Sequence, residues 1–157
     1  GTAGGMGAAV IFVATLASVI TWLVYHRLLA PLGLEYMKTL VFILVIAALV
    51  QFVEIFLKKQ SRTLYDSLGI YLPLITTNCA VMGIALLNIK YDHSLAETAV
   101  FSAASAAGFA LAILLFAGVR ERLFTSPVPT ALRGTAIALV TAGIMSLAFL
   151  GFAGMVQ

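Results

Sequence analysis

Charged residues are scarce in this chain of 157 residues. Only 10% of its residues are charged, against about 25% in an ordinary soluble domain. Hydrophobic residues make up 62% of the chain, and the mean hydropathy is +1.12. Such a chain cannot cover a globular surface with polar groups. The composition therefore excludes a soluble domain and predicts an integral membrane protein.

Several kinds of site are also excluded or disfavoured. A single cysteine cannot form an intrachain disulfide. The two histidines, His26 and His93, have no cysteine or carboxylate at the spacing of a metal site or a catalytic triad, so we expect ordinary surface histidines. No glycine-rich loop is followed by Lys-Ser or Lys-Thr, which excludes a nucleotide site of that kind. We predict no catalytic residue.

The uncharged runs between the few charges have the length of membrane spans. A helix needs about 20 apolar residues to cross the hydrocarbon core of a bilayer. Alternation of the strand type is absent, so the spans are predicted to be helices. The sequence predicts an all-α, polytopic helical bundle that forms a single transmembrane domain over residues 1–157. Its five predicted spans cover about residues 7–29, 38–57, 67–89, 97–119 and 133–156.

The distribution of basic residues predicts the topology, and it is a better explanation of the net charge of +3 than nucleic-acid binding. The loops at 58–66 and 120–133 lie on one side of the membrane and hold six basic residues, whereas the other side holds three. The richer loops are therefore predicted to be cytoplasmic. The six are Lys58, Lys59, Arg62, Arg120, Arg122 and Arg133, and the three are Arg27, Lys38 and Lys90.

The third predicted span is interrupted near its midpoint by Pro73 and by the polar run Thr76-Thr77-Asn78-Cys79. Proline removes a helical hydrogen bond, and Thr76, Thr77 and Asn78 could supply new partners to the freed backbone groups. Polar groups inside a membrane tend to mark functional sites. If the helix continues past the break, Thr76, Cys79, Ala80 and Gly83 share a small face that another helix could approach closely.

Cys79 has two interpretations on the residues alone. A lone cysteine among apolar residues is usually a small buried hydrophobe. The alternative is a thiolate ligand of an iron–sulfur cluster, which needs four protein ligands, so the others must come from elsewhere.

Glu54 is nearly the only acidic residue within the predicted spans. It lies four residues before Lys58, so it either forms an ion pair on the helix surface or takes part in ion passage. The first span opens with Gly4, Gly5 and Gly7, and small residues at such spacing allow close helix packing. Because Gly1 starts within an apolar run that lacks the pattern of a signal peptide, we expect a further segment before it.

Three segments resemble the RnfA/NqrE family of membrane subunits: Leu68–Val81, Gly118–Leu123 and Arg133–Phe149. The form Thr-Thr-Asn-Cys-Ala-Val fits the Rnf branch better than the NqrE branch. The resemblance implies six helices in the full protein, arranged as an inverted repeat of three plus three in which a broken helix opens each half. Cys79 lies in the second of these broken helices, and the counterpart of its segment would precede Gly1.

The resemblance also implies a function. Members of the Rnf branch belong to an ion-translocating ferredoxin:NAD⁺ oxidoreductase of the bacterial inner membrane. In that complex an RnfE-like homologous subunit, inserted in the opposite orientation, would share a [2Fe–2S] cluster with this chain. Cys79 would be one of the four ligands, and Thr76, Thr77 and Asn78 are candidates to tune its reduction potential. Electrons would cross the membrane with transport of Na⁺ or H⁺, and further partners would be RnfB, RnfC, RnfD and RnfG.

Four alternatives remain at this stage. One is an NqrE-type subunit of the Na⁺-translocating NADH:quinone reductase. A second is a subunit of an Rnf-like complex that reduces a redox-sensing regulator. Another is a secondary transporter whose broken helix binds an ion or solute without a metal cluster. The last is a purely structural subunit that positions redox partners.

Overall fold

The computed structural model describes residues 2–68 and 71–155, except for the side chains at 2, 3, 64, 67, 68, 72 and 76. No strand occurs in these two ranges, which confirms the all-α prediction. The helices are α1 (Thr2–Val24), α2 (Ala30–Leu32), α3 (Lys38–Gln60), α4 (Arg62–Leu68), α5 (Leu72–Thr76), α6 (Cys79–Lys90), α7 (Leu95–Thr125) and α8 (Thr135–Leu150). A π-helical turn (Tyr25–Leu29) and two 3₁₀ turns (Glu35–Met37 and Ala153–Met155) complete them.

Four helical segments of the described chain are long and apolar enough to cross a membrane. They are Gly4–Leu32, Glu35–Gln60, Leu95–Thr125 and Thr135–Met155. The third predicted span is not among them, because it is divided between α4, α5 and the 12-residue α6. The prediction of a polytopic helical membrane protein is confirmed, and its third span is a broken one.

The chain divides into two compact units, residues 1–111 and residues 112–157. In the first unit, α6 packs against α1 and α3, and α5 packs against α3. The buried residues of α1 recur at intervals of three and four, as expected for one face of a helix. The hydrophobic core of this unit consists of Val10, Val13, Ala14, Ala17, Ile46, Val50, Ile75, Val81, Ile84 and Ala106.

Small side chains allow α1 and α7 to approach each other closely. The buried residues of α7 are Thr98, Ser102, Ala106 and Ala110, each four residues after the last. A Cβ atom added to Gly7 would lie only 3.0 Å from the Cβ atom of Ala110. The predicted close packing is thus confirmed at Gly7. At Gly4 an added Cβ atom would meet nothing within 4 Å in the described chain.

A capping box starts α7. The Ser94 amide donates a hydrogen bond to Glu97 Oε2 at 2.8 Å, and the Glu97 amide donates to Ser94 Oγ at 3.4 Å. These reciprocal bonds satisfy two backbone donors that the first turn of a helix leaves without partners.

The second unit contains the C-terminal part of α7, the loop after it, and α8. None of the residues of α8 is buried within the described chain. The residue before α8 is Gly134, whose φ of +88° lies in the region that favours glycine.

The close approach at Gly7 predicts a difference between two glycines of the same helix. Gly7→Val should lower the free energy of unfolding by about 1–3 kcal/mol, because the added methyl groups overpack the contact with Ala110. Gly4→Val should change it by less than about 0.5 kcal/mol, since its surroundings are open. Thermal unfolding of the two variants in detergent measures the difference. Equal destabilisation by both variants would show that α1 and α7 do not pack closely at Gly7.

Candidate functional site

The break in the third span lies at Thr77 and Asn78. Asn78 has an extended backbone (φ −74°, ψ +115°), so the helix cannot continue through it, and α6 begins at Cys79. Pro73 lies in the first turn of α5, where the N–H group that proline lacks is not needed. The proline therefore starts a short helix, and the interruption follows it four residues later.

Side chains at the break satisfy the backbone groups that it exposes. The hydroxyl of Thr77 lies 3.4 Å from the Pro73 carbonyl oxygen and 3.3 Å from that of Leu74, and it donates to them. The Asn78 Oδ1 atom accepts a hydrogen bond from the Ala80 amide at 3.0 Å and so caps α6. Thr77 and Asn78 thus bond to backbone groups as expected, but these groups lie beside the break at Asn78 and are not freed by Pro73. The side chain of Thr76 lies outside the described part of the structure.

Cys79 is the first residue of α6, and its free thiol is exposed. Ile75 and Val81, on either side of the break, are both 0% exposed and belong to the core. The two half-helices are thus fixed from within, while Thr77 and Cys79 are exposed.

The shared face was expected only if the helix continued past the break, and it does not. Thr76 and Cys79 do not lie on one helix face, because the chain leaves the helical conformation between them. Cys79 and Gly83 do share a face of α6, one turn apart. A Cβ atom added to Gly83 would meet nothing within 4 Å, so the surface beside the thiol is open.

Cys79 belongs to no cluster of metal-binding side chains within the described residues. Among the described residues, no group of three or more His, Cys, Asp and Glu side chains could hold a metal ion. A cluster with four ligands would fit at Cys79 only if the others came from outside the described residues. The N-terminus of a helix favours negative charge, which suits a thiolate ligand at this position.

A second group of polar residues ties α1, α6 and α7 together. Asn88 is 1% exposed and donates from Nδ2 to Ser102 Oγ at 2.9 Å. Its Oδ1 atom lies 2.9 Å from His93 Nδ1 and accepts a hydrogen bond from it. The indole N–H of Trp22 donates to the backbone carbonyl of His93 at 2.8 Å. These bonds hold the C-terminal end of α6, the end opposite Cys79.

This network corrects the expectation that His93 is an ordinary surface residue. Its ring is half-buried, bonded to Asn88, and 5.0 Å from the ring of Phe101. The sequence held a signal for Asn88, which follows Val81 and Ile84 by seven and four residues and so lies on the buried face of α6.

Glu54 has a hydrogen-bond partner that the sequence did not suggest. The hydroxyl of Tyr65 lies 3.4 Å from Glu54 Oε1 and donates to it. Lys58, the partner expected from spacing, has its ammonium 5.8 Å from the centre of the Tyr65 ring. This contact between α3 and α4 favours the structural interpretation of Glu54.

Almost the whole chain matches one known family of membrane proteins. The sequence model of a family described as "Rnf-Nqr subunit, membrane protein" matches residues 1–156. The chain belongs to the Rnf-Nqr family. The family resemblance seen in the sequence is thereby confirmed.

Relatives of this Rnf-Nqr chain have names that describe redox complexes. It is 60% identical over 154 residues to the A subunit of the Na⁺-translocating ferredoxin:NAD⁺ oxidoreductase complex of Acetobacterium woodii, covering 98% of this chain and 80% of the relative. It is 58% identical over 156 residues to the A subunit of the ion-translocating oxidoreductase complex of Yersinia pseudotuberculosis, covering 99% and 81%. The same figures hold for the corresponding protein of Yersinia enterocolitica.

The cap at the break predicts the effect of a mutation in this Rnf-Nqr chain. Asn78→Ala should lower the free energy of unfolding by about 1 kcal/mol, because the Ala80 amide loses its acceptor, whereas Asn78→Ser should retain most of the cap. Thermal unfolding measures the decrease in the free energy of unfolding, and hydrogen exchange of the Ala80 amide shows whether the capping bond is the one lost. Faster exchange at Ala80 is expected in the alanine variant only. Unchanged exchange in that variant would rule out the capping role.

Proposed function

We propose that this Rnf-Nqr chain is the A-type membrane component of an ion-translocating ferredoxin:NAD⁺ oxidoreductase complex. The proposal is supported by the names of relatives that are 58–60% identical over nearly the whole chain. It places the chain in the bacterial inner membrane, with the basic loops 58–66 and 120–133 in the cytoplasm. It also assigns the chemistry to the assembled complex, of which this chain is one part.

Within that complex, Cys79 is proposed to be one of four ligands of a [2Fe–2S] cluster. The observation that carries this assignment is the exposed thiol at a break whose flanks, Ile75 and Val81, are fully buried. A cysteine that served only as a small hydrophobe would be expected in the core, where free cysteines are commonly found. Here the chain fixes its backbone from within and exposes its thiol.

The other three ligands would come from outside the described residues. By resemblance, an RnfE-like subunit of opposite orientation would supply part of the set, and RnfB, RnfC, RnfD and RnfG would complete the complex. An iron–sulfur cluster supplies one-electron transfer when bound. The exposed thiol and the open surface beside Gly83 would let a partner helix approach the site.

The residues of this chain have distinct parts in the proposed site. Thr77 and Asn78 keep the break in place through their bonds to Pro73 and Ala80, so the thiol stays at the start of α6. The N-terminus of α6 favours the negative charge of thiolate ligands and of an added electron. Thr76, Thr77 and Asn78 remain the candidates to adjust the reduction potential. Electron passage would be coupled to transport of Na⁺ or H⁺.

A transporter without a metal cluster is less well supported by the same geometry. Such a protein would present oxygen atoms at its broken helix to the transported ion. The hydroxyl of Thr77 and the carbonyl oxygen of the Asn78 side chain are instead engaged with the backbone of α5 and α6. Glu54 accepts a hydrogen bond from Tyr65. These polar side chains serve local structure.

Replacement of the proposed ligand tests the assignment. Cys79→Ser should abolish the [2Fe–2S] signal of the membrane subunits in electron paramagnetic resonance of the reduced, purified complex, because residues 1–157 hold no second cysteine to take over. Ala80→Ser is the matched control, since it places the same hydroxyl one residue later in α6. Its signal should be that of the parent. A full signal from Cys79→Ser in a complex with every subunit present would refute the ligand role.

A further inference from the structure

A cavity of about 340 Å³ lies within the second unit, between the end of α7 and the start of α8. Two arginines, Arg120 and Arg133, line it together with Ser126, and no acidic residue is among the residues that line it. Apolar side chains form much of the remaining wall, among them Leu123, Phe124 and Ile137. The cavity is therefore both cationic and apolar.

Local hydrogen bonds shape this cavity. The hydroxyl of Ser126 donates to the Arg122 carbonyl at 3.0 Å and ends α7. The Nε atom of Arg133 donates to the Val128 carbonyl at 3.3 Å, which closes the loop between the two helices. The guanidinium of Arg120 lies 6.0 Å from the centre of the Phe116 ring, one turn earlier in α7. The two cationic groups are thus each held by a contact of their own.

The start of α8 adds to the preference for an anion. Gly134 is the residue before the helix and lines the cavity, and no side chain caps this helix. The N-terminus of this 16-residue helix carries partial positive charge, although the amide of Ile137 in its first turn already donates to the Leu132 carbonyl at 3.0 Å. Together with two guanidiniums, which bind phosphate oxygens well, it forms a site suited to a phosphate group.

The position and the lining of the cavity indicate whether the phosphate group belongs to a soluble molecule or to a phospholipid. The cavity lies at the basic ends of two helices long enough to span a membrane, where the headgroups of the bilayer are expected. A soluble phosphate would leave unused the apolar wall of Ile137 and Ala138, which lie within the predicted fifth span. A phospholipid uses both parts, since its headgroup meets the arginines and its acyl chains meet apolar surface.

We propose that this cavity binds the headgroup of an anionic phospholipid, held by Arg120, Arg133 and the N-terminus of α8. The site is separate from Cys79 and independent of any redox role. It fixes the ends of α7 and α8 to the leaflet of the membrane.

Photocrosslinking to lipids tests the proposal in the intact complex. The complex is reconstituted in nanodiscs that contain diazirine-labelled phosphatidylglycerol or diazirine-labelled phosphatidylcholine, and crosslinks are mapped by mass spectrometry. Phosphatidylglycerol should label residues 120–138 well above phosphatidylcholine. Arg120→Gln with Arg133→Gln should lower this labelling about 25-fold, at roughly fivefold for each guanidinium. Lys58→Gln with Lys59→Gln, which removes the same charge outside the cavity, should leave it unchanged.

A conservative variant and a competition experiment complete the test. Arg120→Lys keeps a positive charge and should retain most of the labelling that Arg120→Gln loses, even if Arg133 variants fold poorly. Excess glycerol 3-phosphate should not compete with the lipid. Equal labelling by the two lipids, full competition by glycerol 3-phosphate, or crosslinks from this segment to another protein of the complex in place of lipid would overturn the proposal.

Discussion

The burial of Ile75 and Val81 on both sides of the break is the constraint on which the rest of this site depends. Backbone groups freed inside a membrane have no water to bind, so a break must be satisfied and held by the protein itself. The packing of Ile75 and Val81 into the core holds it, and Thr77 and Asn78 satisfy it. Because these contacts lie within the chain, the thiol of Cys79 is free to serve something outside.

The far end of α6 is held by different chemistry. Asn88 bonds to Ser102 of α7 and to His93, and Trp22 of α1 bonds to the same loop. Burial of apolar surface gives little driving force for helix association in a membrane, so hydrogen bonds and close packing contribute more to the stability of the helix contacts. The short helix with Cys79 at its start is therefore fixed at both ends, by apolar packing at one and by polar bonds at the other.

Much of the fold could be predicted from the sequence. The charge gaps indicated the spanning helices, and the polar run Thr76–Cys79 indicated the broken one. The position of the break was harder to predict from the sequence, because a proline can either disrupt a helix or start one. In the structure Pro73 starts α5, and the helix is interrupted at Asn78, whose backbone is extended. The hydrogen-bond network of Asn88 and His93 was not predicted. A sequence gives the spacing of residues along one helix, whereas these bonds depend on how α1, α6 and α7 pack together. The cofactor could not be deduced from one thiol and rests on resemblance.

The central claim is that the exposed thiol of Cys79 is engaged by a cluster in the assembled complex. Alkylation of Cys79 by iodoacetamide tests it most directly. It is quantified by mass spectrometry before and after iron is removed with a chelator under oxidising conditions, and a phosphine reductant is added before alkylation to return any disulfide formed by the freed ligands to thiols. We expect little modification in the intact complex and near-complete modification once the iron has gone. Equal modification in both states, with all subunits retained, would contradict the claim.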